Sequence, residues 1–377
     1  MQSLEQLTAV VEAVRAAGGN RAQAARDLGA NERTVRWQYA QAVAKGLTGG
    51  MLGVTVPDAF TVDRLSVHTD KDGTESGWVI MNRDKEELVQ FLELVAAECK
   101  AIPPVTRLQM PPDFTLADWL TVYPIVDHHL GMYSWARETG QNYDLAIAER
   151  ALLGTLDRLF QWGPPSETAL LLGLGDWFHA DNTKNMTENS GHPLDVDGRY
   201  AKVLQLGVKL WRKAIDTALL KHQNVKVRIL PGNHDEKGAI ILAMCLAAVY
   251  EKEPRVLVDT DPSLFYFFQW GNTMIGAHHG HTVAAKDFPQ VMAAIKPQMW
   301  GETEFRYCYS GHLHRHQKGG ALALDAQGAE YEIFPASTAR DAWNASKGFT
   351  SKRAMYAITF NMTEGEKGRY REYVKGE

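Results

Sequence analysis

The stretch "TALLLGLGDWF", residues 168–178, is an apolar run that ends on a carboxylate. Leu170, Leu171, Leu172 and Leu174 read as a buried strand, and Asp176 follows with Trp177, Phe178 and His179 directly behind it. A charge at the end of a buried strand is costly unless something pairs with it. The same pattern recurs on both sides. "LTVYPIVDHHLG" (120–131) runs into Asp127 and His129, and "VKVRILPGNHDE" (225–236) runs into Asn233, His234 and Asp235. "TMIGAHHGH" (273–281) and "YCYSGHLH" (307–314) end on His279 and on His312 with His314, and "LFYFFQWG" (264–271) reads as one more strand. Helical stretches, "YDLAIAERALLGTLDRLF" (143–160) and "GRYAKVLQLGVKLWRKAIDTALLKH" (198–222), separate the first three strands. Strands alternating with helices predict an α/β architecture with much parallel pairing.

In open α/β sheets, ligands gather beyond the carboxyl ends of the strands. Five strand ends carrying Asp, His or Asn therefore predict one shared site. Six of the thirteen histidines, His278, His279, His281, His312, His314 and His316, crowd into this part of the chain. Carboxylate, imidazole and amide oxygen without cysteine suit manganese, iron or zinc rather than a structural zinc knot. The donors outnumber the needs of one ion. Two divalent cations are expected, manganese first with iron or zinc as alternatives, ~3.5–4 Å apart as in two-metal hydrolases.

Asp127-x-His129, Gly175-Asp176, Gly232-Asn233-His234-Asp235, His279-Gly280 and Gly311-His312-x-His314 together resemble, in order and spacing, the motif set of the calcineurin-like metallophosphoesterases. The resemblance implies a layered β-sandwich of metallophosphoesterase type, flanked by helices. It implies that Asp127, His129 and His314 hold one metal, that Asn233, His279 and His312 hold the other, and that Asp176 bridges both. His234 would stabilise the phosphoryl oxygens or protonate the leaving oxygen, and Asp235 would orient His234. In "AHHGH", His278 and His281 are alternatives to His279; His281 is expected to face substrate and His278 to point into the fold. His316 is expected at the surface.

The metal motifs do not choose a substrate. "DHHLGMYSWARETGQNYD" (127–144) and "GDWFHADNTKN" (175–185) are similar to segments of SbcD-type DNA repair exonucleases and their phage-borne relatives. That similarity implies substrate contacts from Trp135, Arg137, Trp177, Phe178 and Asn182, with Asp181 beside them. The alternative places Trp177 and Phe178 in the core. His128 either touches substrate or caps its turn. In "STARDAWNASKGFTSKRAMY" (337–356), Arg340, Lys347, Lys352 and Arg353 interleave with Trp343 and Phe349, as either a nucleic-acid groove or a solvated loop.

The first residues read differently. "LEQLTAVVEAVRAAGG" (4–19), "RAQAARDLG" (21–29) and "ERTVRWQYAQAVAKG" (32–46) predict three helices, with Asn20 and Asn31 as N-caps. Leu7, Val11, Val14, Ala24, Ala25, Leu28, Val35 and Tyr39 are the expected core. Helix, Gly-containing turn, helix is the helix-turn-helix pattern, and the segment resembles bacterial modules of that type. Arg33, Thr34 and Arg36 would then face DNA from the third helix; the alternative is a three-helix interaction module. "FTVDRLSVHTDKDGTESGWVIM" (60–81) predicts a β-hairpin around Asp72-Gly73. "KEELVQFLELVAAECK" (85–100) predicts an amphipathic helix, and "AIPPVTRLQMPP" (101–112) a linker. The expected domains are a helix-turn-helix domain (1–48), a hairpin, helix and linker region (49–112) and a phosphoesterase domain (113–377).

A net charge of −5 excludes a polycation, so nucleic-acid contact must come from local patches. Cys99, Cys245 and Cys308 are far apart and odd in number, which predicts no disulfide framework and a reducing cytoplasm. No signal peptide or membrane span is expected. The leading expectation is a two-metal DNA nuclease of phage or prophage type, with DNA as partner. One alternative is a phosphoesterase for a small nucleotide or phosphomonoester whose N-terminal module forms a homodimer. The other is a DNA-binding regulator that senses a ligand.

Overall fold

The computed structural model describes residues 4–44, 61–69, 75–82, 97, 115–187, 191–314, 317–318, 328–348 and 350–375. The chain divides into two compact units, Met1–Leu94 and Val95–Glu377.

In the first unit, helices span Leu4–Ala16, Arg21–Asp27 and Glu32–Ala44. The Asn20 side chain accepts from Gln23 N at 3.1 Å, and the Asn31 side chain accepts from Arg33 N at 2.9 Å, so both expected caps form. Leu7, Val10, Val11, Val14, Ala24, Ala25, Val35, Tyr39 and Ala42 make the core. Leu28 departs from expectation: it is 39 % exposed, because it lies past the end of the short second helix, at its C-cap. Strands β1 (Thr61–Thr69) and β2 (Glu75–Asn82) pair antiparallel, with Thr69 opposite Glu75. The turn at Asp72-Gly73, most of the helix expected at 85–100 and the linker at 101–112 lie outside the described residues.

The second unit is built on two sheets. In the first, β3 (Leu116–Ile125), β4 (Ser166–Gly173), β5 (Asn224–Ile229) and β6 (Val256–Asp259) run parallel. Strands β12 (Ala354–Asn361) and β13 (Gly365–Tyr373) extend its β3 edge antiparallel. The second sheet has the order β10 (Gln317–Lys318), β11 (Glu330–Ile333), β9 (Phe305–Ser310), β8 (Thr273–His278), β7 (Phe265–Trp270). Side chains alternate across each strand, and this decides the layers. Leu120, Val122, Leu170, Leu172, Ile358 and Phe360 share one apolar cluster with Phe268, Ile275, Ala277, Tyr307 and Tyr309, so the two sheets pack face to face. Each fully buried leucine there contributes roughly 1.5–3 kcal/mol.

The opposite faces carry helices. Helix Leu145–Trp162 brings Phe160 to within 4.8 Å of the Tyr123 ring. Helix Tyr200–Leu219 lays Trp211 on Gly173, where an added Cβ would come within 3.1 Å of the indole. On the second sheet, Met274, Cys308, Tyr331 and Ile333 pack against Phe288 and Met292 of helix Phe288–Ile295. The fold is therefore a helix, sheet, sheet, helix sandwich. Among the described residues, no helix is long and apolar enough to cross a membrane.

Cys308 is a buried free thiol, whereas Cys245 is disulfide-bonded. The disulfide at Cys245 departs from the reading that three distant cysteines form no disulfide framework. Distance along a chain does not set distance in space.

His222 is wholly buried between Tyr123 Oη (3.0 Å), Ser166 Oγ (3.0 Å) and the Ser166 carbonyl (2.8 Å). Burial lowers its pKa to about 4. The unfolded chain takes up this proton near pH 6.5 and the folded chain does not until about pH 4. Stability is therefore full above pH 6.5 and falls by about 3 kcal/mol as pH drops toward 4. Urea unfolding of wild type and His222→Gln between pH 7 and 4 should show a shallower decline in the variant; parallel curves would refute the assignment.

Candidate metal centre

Five connections, each leaving the C-terminal end of a strand, build the site. Asp127 and His129 follow β3, Asp176 follows β4, Asn233 to Asp235 follow β5, His279 and His281 follow β8, and His312 and His314 follow β9. The connections are tied to one another through backbone. His129 N donates to Asp176 O (3.0 Å), His179 N to Leu130 O (3.0 Å), and Gly311 N to His279 O (2.9 Å). The ligand-bearing segments thus sit on the rigid sheet ends and brace each other.

The donor atoms of the motif ligands converge in two neighbouring sets, Asp127, His129 and His314 in one and Asp176, His279 and His312 in the other, each within 4.8 Å, and His129 makes a third set of that kind with His179 and His234. Asp176 Oδ2 lies 3.1 Å from His279 Nε2 and 3.8 Å from His129 Nε2, between the sets. Asn233 Oδ1 lies 3.1 Å from His279 Nε2, on the second set. His129 Nε2 and His314 Nε2 face each other at 3.2 Å. Asp127 is fully buried and its Oδ1 has no hydrogen-bond partner among the described residues. Burial, with the charge of Asp176 adding, pushes the Asp127 carboxyl above its usual range, against the pull of His314 and His279. A buried orphan carboxylate oxygen beside facing imidazole lone pairs is a donor set that fits cations.

The backbone records the same demand. Asp127 (φ 44°), His129 (46°), Asp176 (49°), His312 (68°) and His314 (49°) are all left-handed, a region that ordinarily suits glycine. Such a residue costs on the order of 1–3 kcal/mol and persists where its surroundings dictate it. Glycine is required where these loops touch. At Gly232 an added Cβ would lie 2.0 Å from Asp176 Oδ1, and at Gly175 (φ +90°) it would lie 2.5 Å from His279 Nδ1.

Several expected roles change. Asp235 does not meet His234. Its carboxylate accepts from the backbone N–H groups of Gly232 (2.9 Å), Asp176 (3.2 Å) and Phe178 (3.1 Å), clamping the two loops together. His234 is oriented instead by the His179 carbonyl, to which its Nδ1 donates at 2.8 Å. His179, which none of the five motifs contains, has its Nδ1 3.1 Å from His129 Nδ1 and stacks on His234 at 5.4 Å. A histidine one turn beyond a buried carboxylate was the available signal.

His128 is buried, bonded to Ser337 Oγ (3.1 Å) and stacked on Trp177 (4.8 Å). Trp177 and Phe178 are 2 % and 1 % exposed and fill the core behind the site. Their apolar bulk is buried by helix Tyr200–Leu219, where Phe178 abuts Gly207. Asn182 ties its own loop, with Oδ1 accepting from Lys184 N (3.0 Å) and Nδ2 donating to Met186 O (2.7 Å). Asp181 accepts from Lys237 N and Gly238 N at the start of helix Glu236–Val249. Arg137 is exposed and lies 5.5 Å over the ring of Trp135. His281 does reach the site, 5.3 Å from the His279 ring and 6.3 Å from that of His312. His278 turns into the core and stacks on Phe288 at 4.0 Å. His316 and Phe349 lie outside the described residues.

A cavity of about 400 Å³ adjoins His314. Arg340, Lys352 and Arg353 line it.

No protein-family model matches the chain, and no curated protein matches it. Among solved structures, a conserved predicted phosphoesterase of Streptococcus pneumoniae aligns at 11 % identity over 68 % of this chain and 98 % of that one, with a TM-score of 0.27. A 5′-nucleotidase precursor of Thermus thermophilus aligns at 12 % over 68 % of this chain, with a TM-score of 0.30. This chain spans 54 % of that nucleotidase's length.

Proposed function

We propose that this protein is a two-metal phosphodiesterase that hydrolyses nucleic-acid phosphodiester bonds, a DNA nuclease of phage or prophage type. The observation that carries the reading is the pair of donor sets, one on each side of Asp176. Asp127, His129 and His314 would hold one cation; Asn233, His279 and His312 would hold the other; Asp176 would serve both. The chemistry two such cations supply is Lewis acidity toward phosphoryl oxygens and a lowered pKa for the attacking water, with manganese first in expectation. His234 keeps its Nδ1 proton on the His179 carbonyl, which leaves Nε2 to move a proton at the leaving oxygen. Asp235 holds the Asp176 and Gly232 backbones in place while this happens.

The nucleic-acid part rests on the first unit. Arg33, Thr34 and Arg36 are exposed on its third helix, and Arg36 pairs with Glu32 at 2.5 Å on that surface. The test is incubation with Mn²⁺ and labelled single- and double-stranded DNA, alongside bis-p-nitrophenyl phosphate and p-nitrophenyl phosphate. DNA and the diester should be cut; cleavage of the monoester alone, with DNA intact, overturns the nuclease reading. Arg33→Ala/Arg36→Ala should weaken salt-sensitive DNA retention by the full chain, lowering the salt slope by roughly two. Unchanged retention would remove the helix-turn-helix role. A second reading, a small nucleotide or phosphomonoester as substrate, is favoured by the cavity of about 400 Å³ at His314, a size that suits a small ligand.

A further inference from the structure

Arg353 is 9 % exposed and lines the cavity beside His314. Its Nε donates to the Ser337 carbonyl at 2.9 Å, and its guanidinium lies 5.5 Å over the Tyr143 ring. Its Nη2 is buried and has no hydrogen-bond partner, and no carboxylate pairs with it among the described residues. A buried guanidinium left this way is costly. The walls around it make the cost greater. Arg340 and Lys352 line the same space, Thr350 and Ser351 add polar groups, and no Asp or Glu lines it. Like charges crowd together in a chain whose net charge is −5. A bound anion would relieve the buried charge of Arg353, and a fork-shaped guanidinium with a lysine lining the same space suits phosphate oxygens.

We propose that this cavity is a phosphate subsite, which seats a phosphate group of the substrate other than the one attacked. This rests on the two-metal phosphoesterase reading for its place in catalysis, since His314 belongs both to the first donor set and to the cavity wall. The site selects substrates that carry a second phosphate next to the scissile one. Arg353 grips that phosphate from the buried end, and Lys352, 5.6 Å over the Tyr373 ring, closes on it from the open end.

The test is calorimetric titration of the full chain with inorganic phosphate in the presence of chelator, which removes any contribution from bound metal. One saturable site with a Kd below about 1 mM is expected. Arg353→Gln should weaken it roughly tenfold or more and Lys352→Ala by about threefold or more, since each removes a charged donor. Lys352 is exposed, so its variant decides the matter if Arg353→Gln does not fold by circular dichroism. Absence of saturable binding, or equal affinity in the folded variants, overturns the proposal. Competition by a short oligothymidylate lacking terminal phosphates would assign the occupant as an internal diester phosphate; failure to compete alongside phosphate binding would assign a terminal one. The two readings fail separately. Diester hydrolysis without phosphate binding leaves the metal centre and removes the subsite; phosphate binding without hydrolysis does the reverse.

Discussion

Asp176→Asn is expected to lower metal-dependent hydrolysis of bis-p-nitrophenyl phosphate by at least about a thousandfold, roughly 4 kcal/mol of transition-state stabilisation. The reason is its place between the two donor sets, 3.1 Å from His279 and 3.8 Å from His129. Burial opposes its charge, yet His279, His234 and His129 around it hold the carboxyl well below the usual range. An amide has the same shape and keeps one oxygen, so the N–H of His234, which donates to Asp176 Oδ1 at 2.9 Å, can still be satisfied. The fold should therefore survive while the charge shared between cations is lost. Metal content by mass spectrometry should fall from two ions per chain to one or none. A variant with full metal content and near-wild-type rate would sink the bridging role.

Gly232→Ala is expected to lower the same hydrolysis by about a hundredfold without removing any donor. The new Cβ would lie 2.0 Å from Asp176 Oδ1 and 2.4 Å from Asp176 N, both held by other bonds. One loop has to move. Overpacking of this kind costs roughly 1–3 kcal/mol, and displacement of a catalytic group by about 1 Å costs on the order of a hundredfold in rate. Gly301→Ala is the control, because nothing lies within 4 Å of its added Cβ and it sits in the helix Pro297–Glu302. There the same substitution should stabilise by about 0.5–1 kcal/mol. The melting temperature should fall for Gly232→Ala and rise for Gly301→Ala, and only Gly232→Ala should lose diester hydrolysis. Equal behaviour would mean that the Gly232 contact does not constrain the site.

The strands were legible because their signal is local. Leu170 to Leu172 form a continuous apolar run, which suits a strand covered on both faces, and β4 is buried along its length except at Glu167. The ligand positions were legible because each sits one to four residues past such a run. The side chains between them were not. The sequence left Trp177 open between substrate and core and His128 between substrate and a turn cap; only the fold shows that they stack on each other, both buried. Asp235 follows His234 directly, but the chain turns between them and sends the carboxylate to three backbone N–H groups instead. Asn182 has a polar side chain that its own loop consumes. An apolar period reports which face a residue takes; it does not report what a polar atom finds when it arrives.

The sequence by itself determined the α/β class, the three N-terminal helices with their asparagine caps, and the set of residues that gather at the strand ends. Those follow from periodicity and capping, which act over a few residues. Tertiary structure alone decided that His179 joins His129 and His234, that Asp235 turns to three backbone N–H groups, and that Arg353 lies buried in the wall of the cavity at His314 without a carboxylate among the described residues. These depend on which of many distant segments meet. Such contacts join residues as far apart as Asp127 and His312, whose N–H donates to Asp127 Oδ2 at 2.9 Å across the junction of the two sheets.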